Sequence, residues 1–306
     1  MSNNKLYIGR YAPSPTGRLH LGNLRTALLC WLHARLNNGQ FLLRMDDLDS
    51  PRVVKGCDEQ ILKDLQWLGL DWDGDVYYQS QHLDDYQQVF DLLKQQQQIF
   101  PCYCSRKDVQ QAASAPHGKS VIYPKTCRDL SAAKVAKLHQ TKEPAWRFRV
   151  DQHAHDSIEF SDGVLGSHSE SLQQDCGDFV VKRADSLFAY QLAVVVDDMR
   201  QGITDVMRGA DLLDSTARQI ALFETFNQAQ PQYWHVPLLE DDQGKRMAKR
   251  DGSSSIQQWQ ETGGTAESLI GYLAFSAGLI NSQQSITVAN LLASLSLQRF
   301  LFVLRQ

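Results

Sequence analysis

Apolar positions at Leu24, Leu28, Trp31, Leu32 and Leu36 recur at helical spacing and are followed by Asn37-Asn38-Gly39, which predicts a helix over residues 23–36 with a C-terminal stop. An apolar, strand-like run at residues 6–8 precedes it, and Phe41-Leu42-Leu43-Arg44 behind it reads as a short buried strand. Strand, helix and strand in that order predict a parallel βαβ unit. Ile61, Leu62, Leu65 and Leu68 predict a second helix ending at Gly69, and a third is expected over residues 83–98, whose glutamine run reads as a solvated helix end. Trp146-Arg147-Phe148-Arg149-Val150 alternates like a half-exposed strand, and Ile158-Glu159-Phe160 with Val164-Leu165 predicts a hairpin on an Asp162-Gly163 turn. Residues 179–182 read as strand, 190–198 as helix, 202–208 as strand and 211–226 as a long helix. The tail after residue 253 is helical in pattern, with a helix over 266–277 stopped by Gly278.

Composition narrows the class of protein. The chain has 306 residues, 42% of them hydrophobic, enough for one large or two medium packed domains. No window approaches the roughly 18 apolar residues of a membrane span, and residues 1–5 lack a signal-peptide core, so a cytoplasmic location is expected. A net charge of −4 gives no global case for nucleic-acid binding, so any such site must be local.

Chemistry concentrates in three stretches. Between Arg10 and Asn23 a strand end, glycine-rich punctuation and a helix start are arranged as anion sites are, because the first turn of a helix has unpaired N–H groups and a positive dipole end. His20 lies beside that start, although a histidine there is more often a cap or a surface group. The second stretch, residues 245–250, holds four cations between glycines and suits a developing pyrophosphate charge, or simply a solvated surface. In the third, Cys102-Tyr103-Cys104 is followed by Tyr123 and Cys127, and the spacing alone leaves a four-coordinate metal site and ordinary thiols both open. Cys30 and Cys57 fall in predicted helices and are expected to be buried packing residues, while Cys176 has no assigned role.

Pro13-Ser14-Pro15-Thr16-Gly17 before His20-Leu21-Gly22-Asn23, with Arg246-Met247-Ala248-Lys249-Arg250 far downstream, resemble the two signature sequences of class I aminoacyl-tRNA synthetases. The match is to the glutamate branch, which also has an arginine like Arg10 at the strand end and an acid like Asp46 after the second strand. Its tyrosine and Val-Asp-Asp stretch resembles Tyr190 through Val196-Asp197-Asp198, followed by Arg208. The chain departs from the usual pattern at Asn23, Arg246 and Ala248, and Asp46 is a methylene shorter than the glutamate commonly found there.

The resemblance implies a Rossmann-type parallel α/β catalytic domain with an inserted α+β, zinc-bearing subdomain and a short helical tail. Expected boundaries are 1–100 and 179–252 for the two halves of the catalytic domain, 101–178 for the insertion and 253–306 for the tail. It implies His20 and Lys249 as catalytic groups, with Arg10, Tyr190 and Arg208 on the side-chain carboxylate of glutamate and Ser14 and Asp46 on its ammonium. Pro13, His20, Gly22, Asn23, Arg246, Met247 and Lys249 would bind ATP, which arrives with Mg²⁺. Structural Zn²⁺ is expected on Cys102, Cys104, Tyr123 and Cys127, with His117 as a rival fourth ligand. Full-length glutamyl-tRNA synthetases continue into a helical anticodon-binding region, whereas this chain stops soon after Arg250. In that respect it is similar to the short paralogues that attach glutamate to the queuosine base at the wobble position of tRNA(Asp), so the anticodon stem-loop of that tRNA is the expected partner and a monomer the expected state. A truncated enzyme charging the 3′ end of tRNA(Glu) and a non-catalytic RNA-binding relative are the alternatives.

Overall fold

A computed structural model describes residues 6–112, 122–239 and 255–306. Strand β1 (Ile8–Tyr11) leads into helix α1 (Leu21–Leu36), and β2 (Gln40–Met45) and β3 (Tyr77–Tyr78) follow. Next come β4 (Ile99–Cys102), β5 (Ala145–Phe148), the hairpin of β6 (Ser157–Asp162) and β7 (Gly166–Ser171), and β8 (Val180–Lys182). Strands β9 (Asp205–Gly209) and β10 (Gln232–Val236) precede the helices of the tail.

Five strands form the central sheet in the order β10-β9-β1-β2-β3, with all neighbours parallel. From β1 the chain builds outward through β2 and β3 on one side and later through β9 and β10 on the other. The reversal leaves a crevice at the carboxyl ends of β1 and β9, the place where open α/β sheets bind ligands. Strands β4, β5 and β8 make a separate antiparallel sheet, which extends past residue 178 because β8 pairs with β5.

The hydrophobic pattern of α1 shows one face, but the structure buries nearly the whole helix, including Ala27, Leu29, Cys30 and Ala34. The sheet covers one side, and the tail helices Ala266–Ser276, Val288–Ser294 and Leu297–Leu304 pack on the other. His33 is consequently buried, accepts or shares a hydrogen bond with Tyr7 Oη at 3.0 Å, and is pushed down to about 4 by that burial.

Several expected boundaries move. Leu6 is 60% exposed, and the first strand lies at Ile8–Tyr11 because the pairing with β2 runs through Tyr11. The hairpin turns later than an Asp-Gly turn would: Asp162 Oδ1 accepts the N–H groups of Val164 and Leu165, both at 2.9 Å, and keeps these residues in the turn. The expected helix over 211–226 begins as a 3₁₀ segment, Ala210–Ser215, and becomes α-helical only at Thr216–Thr225. Cys57 starts the helix Cys57–Trp67 and is half-buried rather than a packing residue. As expected, the helix Ala266–Ser276 is stopped at Gly278, whose φ of +71° is readily adopted only by glycine.

Candidate active site

β1 and β9 lie side by side, and each has an arginine at its penultimate position, Arg10 and Arg208. Both border a cavity of about 390 Å³ at the carboxyl ends of these strands, together with Pro13, Ser14, His20, Gly22, Asn23, Asp46 and Tyr190. Every described residue nominated from the sequence for glutamate or ATP thus faces one space. Arg246, Met247 and Lys249 lie outside the described residues. The flanks of their segment converge on this site, since Leu239 borders the cavity and Ser255 forms a β-bridge with His20.

His20 caps α1. Its Nδ1 accepts the Asn23 N–H at 3.3 Å, and the Asn23 side-chain oxygen accepts the His20 N–H at 3.4 Å. The reciprocal pair satisfies two backbone donors and aims the positive end of the helix at the cavity. Gly22 is confined by this arrangement, because a Cβ there would come within 3.0 Å of His20 Cε1.

Beneath the cavity is a buried network of charges. Asp198 accepts Arg10 Nε at 3.1 Å and Nη2 at 3.3 Å, and Arg44 Nη1 at 2.6 Å. Burial raises the Asp198 carboxyl, but the two arginines outweigh it and hold the group below the usual carboxylate range. Arg44, fully buried, also donates from Nε to Asp46 at 2.8 Å. Burial dominates at Asp46 and pushes it up to about 6 against the pull of Arg44. Asp197 is raised as well, by burial, although it accepts Tyr77 and Tyr86 hydroxyls and the Gln79 amide at 2.9, 2.7 and 2.6 Å. Arg208 is held differently: its Nε donates to His235 Nε2 at 2.9 Å, Nη1 to Gln219 at 2.7 Å and Nη2 to Thr216 Oγ1 at 2.9 Å.

A second cavity, of about 920 Å³, shares Ser14, Asp46 and Tyr190 with the first and is bordered by Arg52, Arg106, Arg147 and Arg183. Cys104, on its wall, belongs to the cysteine site. The sulfurs of Cys102, Cys104 and Cys127 lie within 4.8 Å of one another, and Cys104 and Cys127 are 3.6 Å apart. Tyr123 Oη stands 3.3 Å from Cys102 Sγ and 3.9 Å from Cys104 Sγ. Thiolates bound tetrahedrally to zinc at ~2.3 Å stand roughly 3.8 Å apart, so the donor set and its spacing fit a metal ion. His117 lies outside the described residues.

The sequence nominates none of Arg44, Asp162, Thr216, Gln219 and His235 as a site residue. A signal existed for one of them: Arg44 ends an apolar strand run, where an ionisable group must find a partner if the element is buried.

The family description "tRNA synthetases class I (E and Q), catalytic domain" matches residues 8–293. The glutamyl-Q tRNA(Asp) synthetase of Prochlorococcus marinus (strain MIT 9313) is 43% identical over 292 residues, covering 95% of this chain and 89% of that protein. The protein of the same name from Geobacter sulfurreducens is 47% identical over 252 residues, covering 81% and 77%. Among solved structures, a glutamate tRNA ligase from Elizabethkingia meningosepticum in complex with its amino acid superposes with a TM-score of 0.81 at 25% identity. That match covers 96% of this chain and 66% of the ligase.

Proposed function

The chain belongs to the class I tRNA synthetase family of the glutamate and glutamine branch, and on that premise we propose that it activates glutamate with ATP without needing tRNA, then transfers the glutamyl group to the queuosine base at the wobble position of tRNA(Asp). The observation that carries the reading is the convergence of Arg10 and Arg208 with Ser14 and Asp46 in one cavity beside the α1 cap. Two guanidinium groups, with Tyr190, hold the side-chain carboxylate of glutamate, while Ser14 and Asp46 receive its ammonium. Glutamine would leave an arginine imperfectly paired. His20, with Pro13, Gly22 and Asn23, takes the ATP phosphates at the helix start, and Arg246, Met247 and Lys249 complete the ATP site.

In the first step an oxygen of the α-carboxylate attacks the α-phosphorus, the bond to the bridging oxygen breaks, and pyrophosphate leaves with its charge stabilised by His20, Lys249 and Mg²⁺. In the second, a hydroxyl of the queuosine cyclopentene ring attacks the activated carbonyl carbon, loses its proton and releases AMP. The second cavity supplies the place for the acceptor nucleoside, since its arginines suit phosphate and base contacts. Cys102, Cys104, Tyr123 and Cys127 would hold a structural Zn²⁺, which would tie Cys104 on the wall of this cavity to Tyr123 and Cys127. Residues 1–100 and 179–252 make the catalytic domain around an insertion at 101–178 whose sheet takes β4 and β8 from across those bounds, with 253–306 as a helical tail, and the protein acts as a monomer. Incubation with labelled glutamate and separate tRNAs tests the reading. Label on queuosine-containing tRNA(Asp) is expected, and label confined to the 3′ end of tRNA(Glu) overturns it.

A further inference from the structure

The geometry points to Asp162 and His235 as a positioning relay that fixes Arg208 in the pose that reads the substrate carboxylate while leaving its charge available. This inference rests on the reading of Arg208 given above. The pairing register of the parallel strands β9 and β10 sets His235 opposite Arg208, so the two side chains lie beside each other on one face of the sheet. Arg208 Nε approaches His235 Nε2 at 2.9 Å, and His235 Nδ1 lies 2.6 Å from Asp162 Oδ2. A guanidinium only donates, so Nε2 must carry the lone pair and Nδ1 the proton that Asp162 accepts. Thr216 Oγ1, 3.3 Å from Nε2, is on the same side and accepts Arg208 Nη2.

Asp162 is itself anchored. Its Oδ1 accepts the backbone N–H groups of Val164 and Leu165 at 2.9 Å and of His235 at 3.2 Å, and only 3% of the residue is exposed. Burial works against ionisation of Asp162, but the hydrogen bonds from His235, Leu165 and Val164 outweigh it and hold the carboxyl below its usual range.

The two substrate arginines therefore differ in charge environment. Arg10 is in direct ion contact with Asp198, so much of its charge is offset before any substrate arrives. Among the described residues, the hydrogen-bond partners of Arg208 are His235, Gln219 and Thr216, all uncharged in this tautomer. The anchoring carboxylate stands one imidazole away. Among the described residues no ion pair offsets Arg208, so its attraction falls on the incoming carboxylate. The β6–β7 hairpin supplies the anchor, which couples the conformation of that hairpin to the selectivity of the central-sheet site.

Asp162→Asn tests this directly. The backbone donors on Oδ1 hold the amide oxygen of asparagine in place, so its NH₂ faces His235 Nδ1 and favours the wrong tautomer, with an N–H turned toward Arg208. In glutamate-dependent exchange of pyrophosphate into ATP, KM for glutamate should rise about tenfold or more, the scale of losing a hydrogen bond to a charged group. KM for ATP should stay near the wild-type value, and discrimination against glutamine should weaken. His235→Gln offers Arg208 a carbonyl oxygen that needs no help from Asp162, so adding Asp162→Asn to it should cost little more. Unchanged glutamate KM and selectivity in Asp162→Asn, equal rises in both KM values, or full additivity of the two substitutions overturns the relay. If Asp162→Asn does not fold, His235→Gln against His235→Met decides: the relay requires glutamate KM to rise only in the variant without an acceptor, and equal behaviour overturns it. Arg208→Gln separates the premise from the inference. No change in glutamate KM there removes the assigned role of Arg208, whereas a rise there with none in Asp162→Asn removes the relay alone.

Discussion

Lowering the pH from 7 to 5 should weaken the use of glutamate through Asp46. This carboxyl is largely buried between β2 and the cavity; burial pushes it up to about 6, and the bond from Arg44 Nε at 2.8 Å only partly opposes the shift. In the role proposed for Asp46, only the ionised form attracts the substrate ammonium. With a midpoint near 6, about nine-tenths of Asp46 is charged at pH 7 and about one-tenth at pH 5, so kcat/KM for glutamate should fall about tenfold. The substrate ammonium stays protonated throughout, and its side-chain carboxylate, with a pKa near 4.3, stays mostly ionised. Stability moves the other way. Because the folded-state value is raised above the unfolded one of about 3.9, Asp46 favours the fold at low pH and loses that contribution as pH rises through about 6. Unfolding linked to Asp46 therefore cannot mimic the loss of activity. Pyrophosphate exchange at saturating Mg-ATP, followed from pH 5 to 8, should show a bend near pH 6 that disappears in Asp46→Asn. A level wild-type profile, or the same bend in the variant, refutes the reasoning.

Asp198→Asn leaves two buried guanidinium groups without their shared carboxylate and should destabilise the protein by about 3–5 kcal/mol in urea titration, with weaker glutamate binding as Arg10 loses its anchor; stability within experimental error of wild type would contradict the assigned weight of the network. Cys127→Ser should release metal and lower Tm, and elemental analysis finding no zinc in the parent protein ends that proposal. Lys249→Ala should slow adenylate formation by roughly two orders of magnitude or more while glutamate binding barely changes, and wild-type exchange would remove the role. Phe300→Ala, at a fully buried position where the tail meets α1, should cost about 3–5 kcal/mol of stability, and a loss below about 1 kcal/mol would mean the tail contributes little.

By itself the sequence determined what depends on neighbours along the chain. The helical spacing from Leu24 to Leu36, the stop at Gly278 and the apolar strand runs were legible because periodicity and turn chemistry are local. Motif order also nominated Arg10, Ser14, His20, Asp46, Tyr190 and Arg208, which share one cavity. It did not reveal β10, where Trp234 and His235 interrupt any simple apolar run, nor that α1 is covered on both sides. Only the tertiary structure decided which strands adjoin, and with that which buried charges meet. Asp198 and Arg44 are 154 residues apart, and Asp162 and His235 are 73 apart. No local propensity encodes such pairs. They are selected because a charge or polar group taken out of water must find its partner within the packed fold, and the strand order together with the β9–β10 register brings that partner within reach.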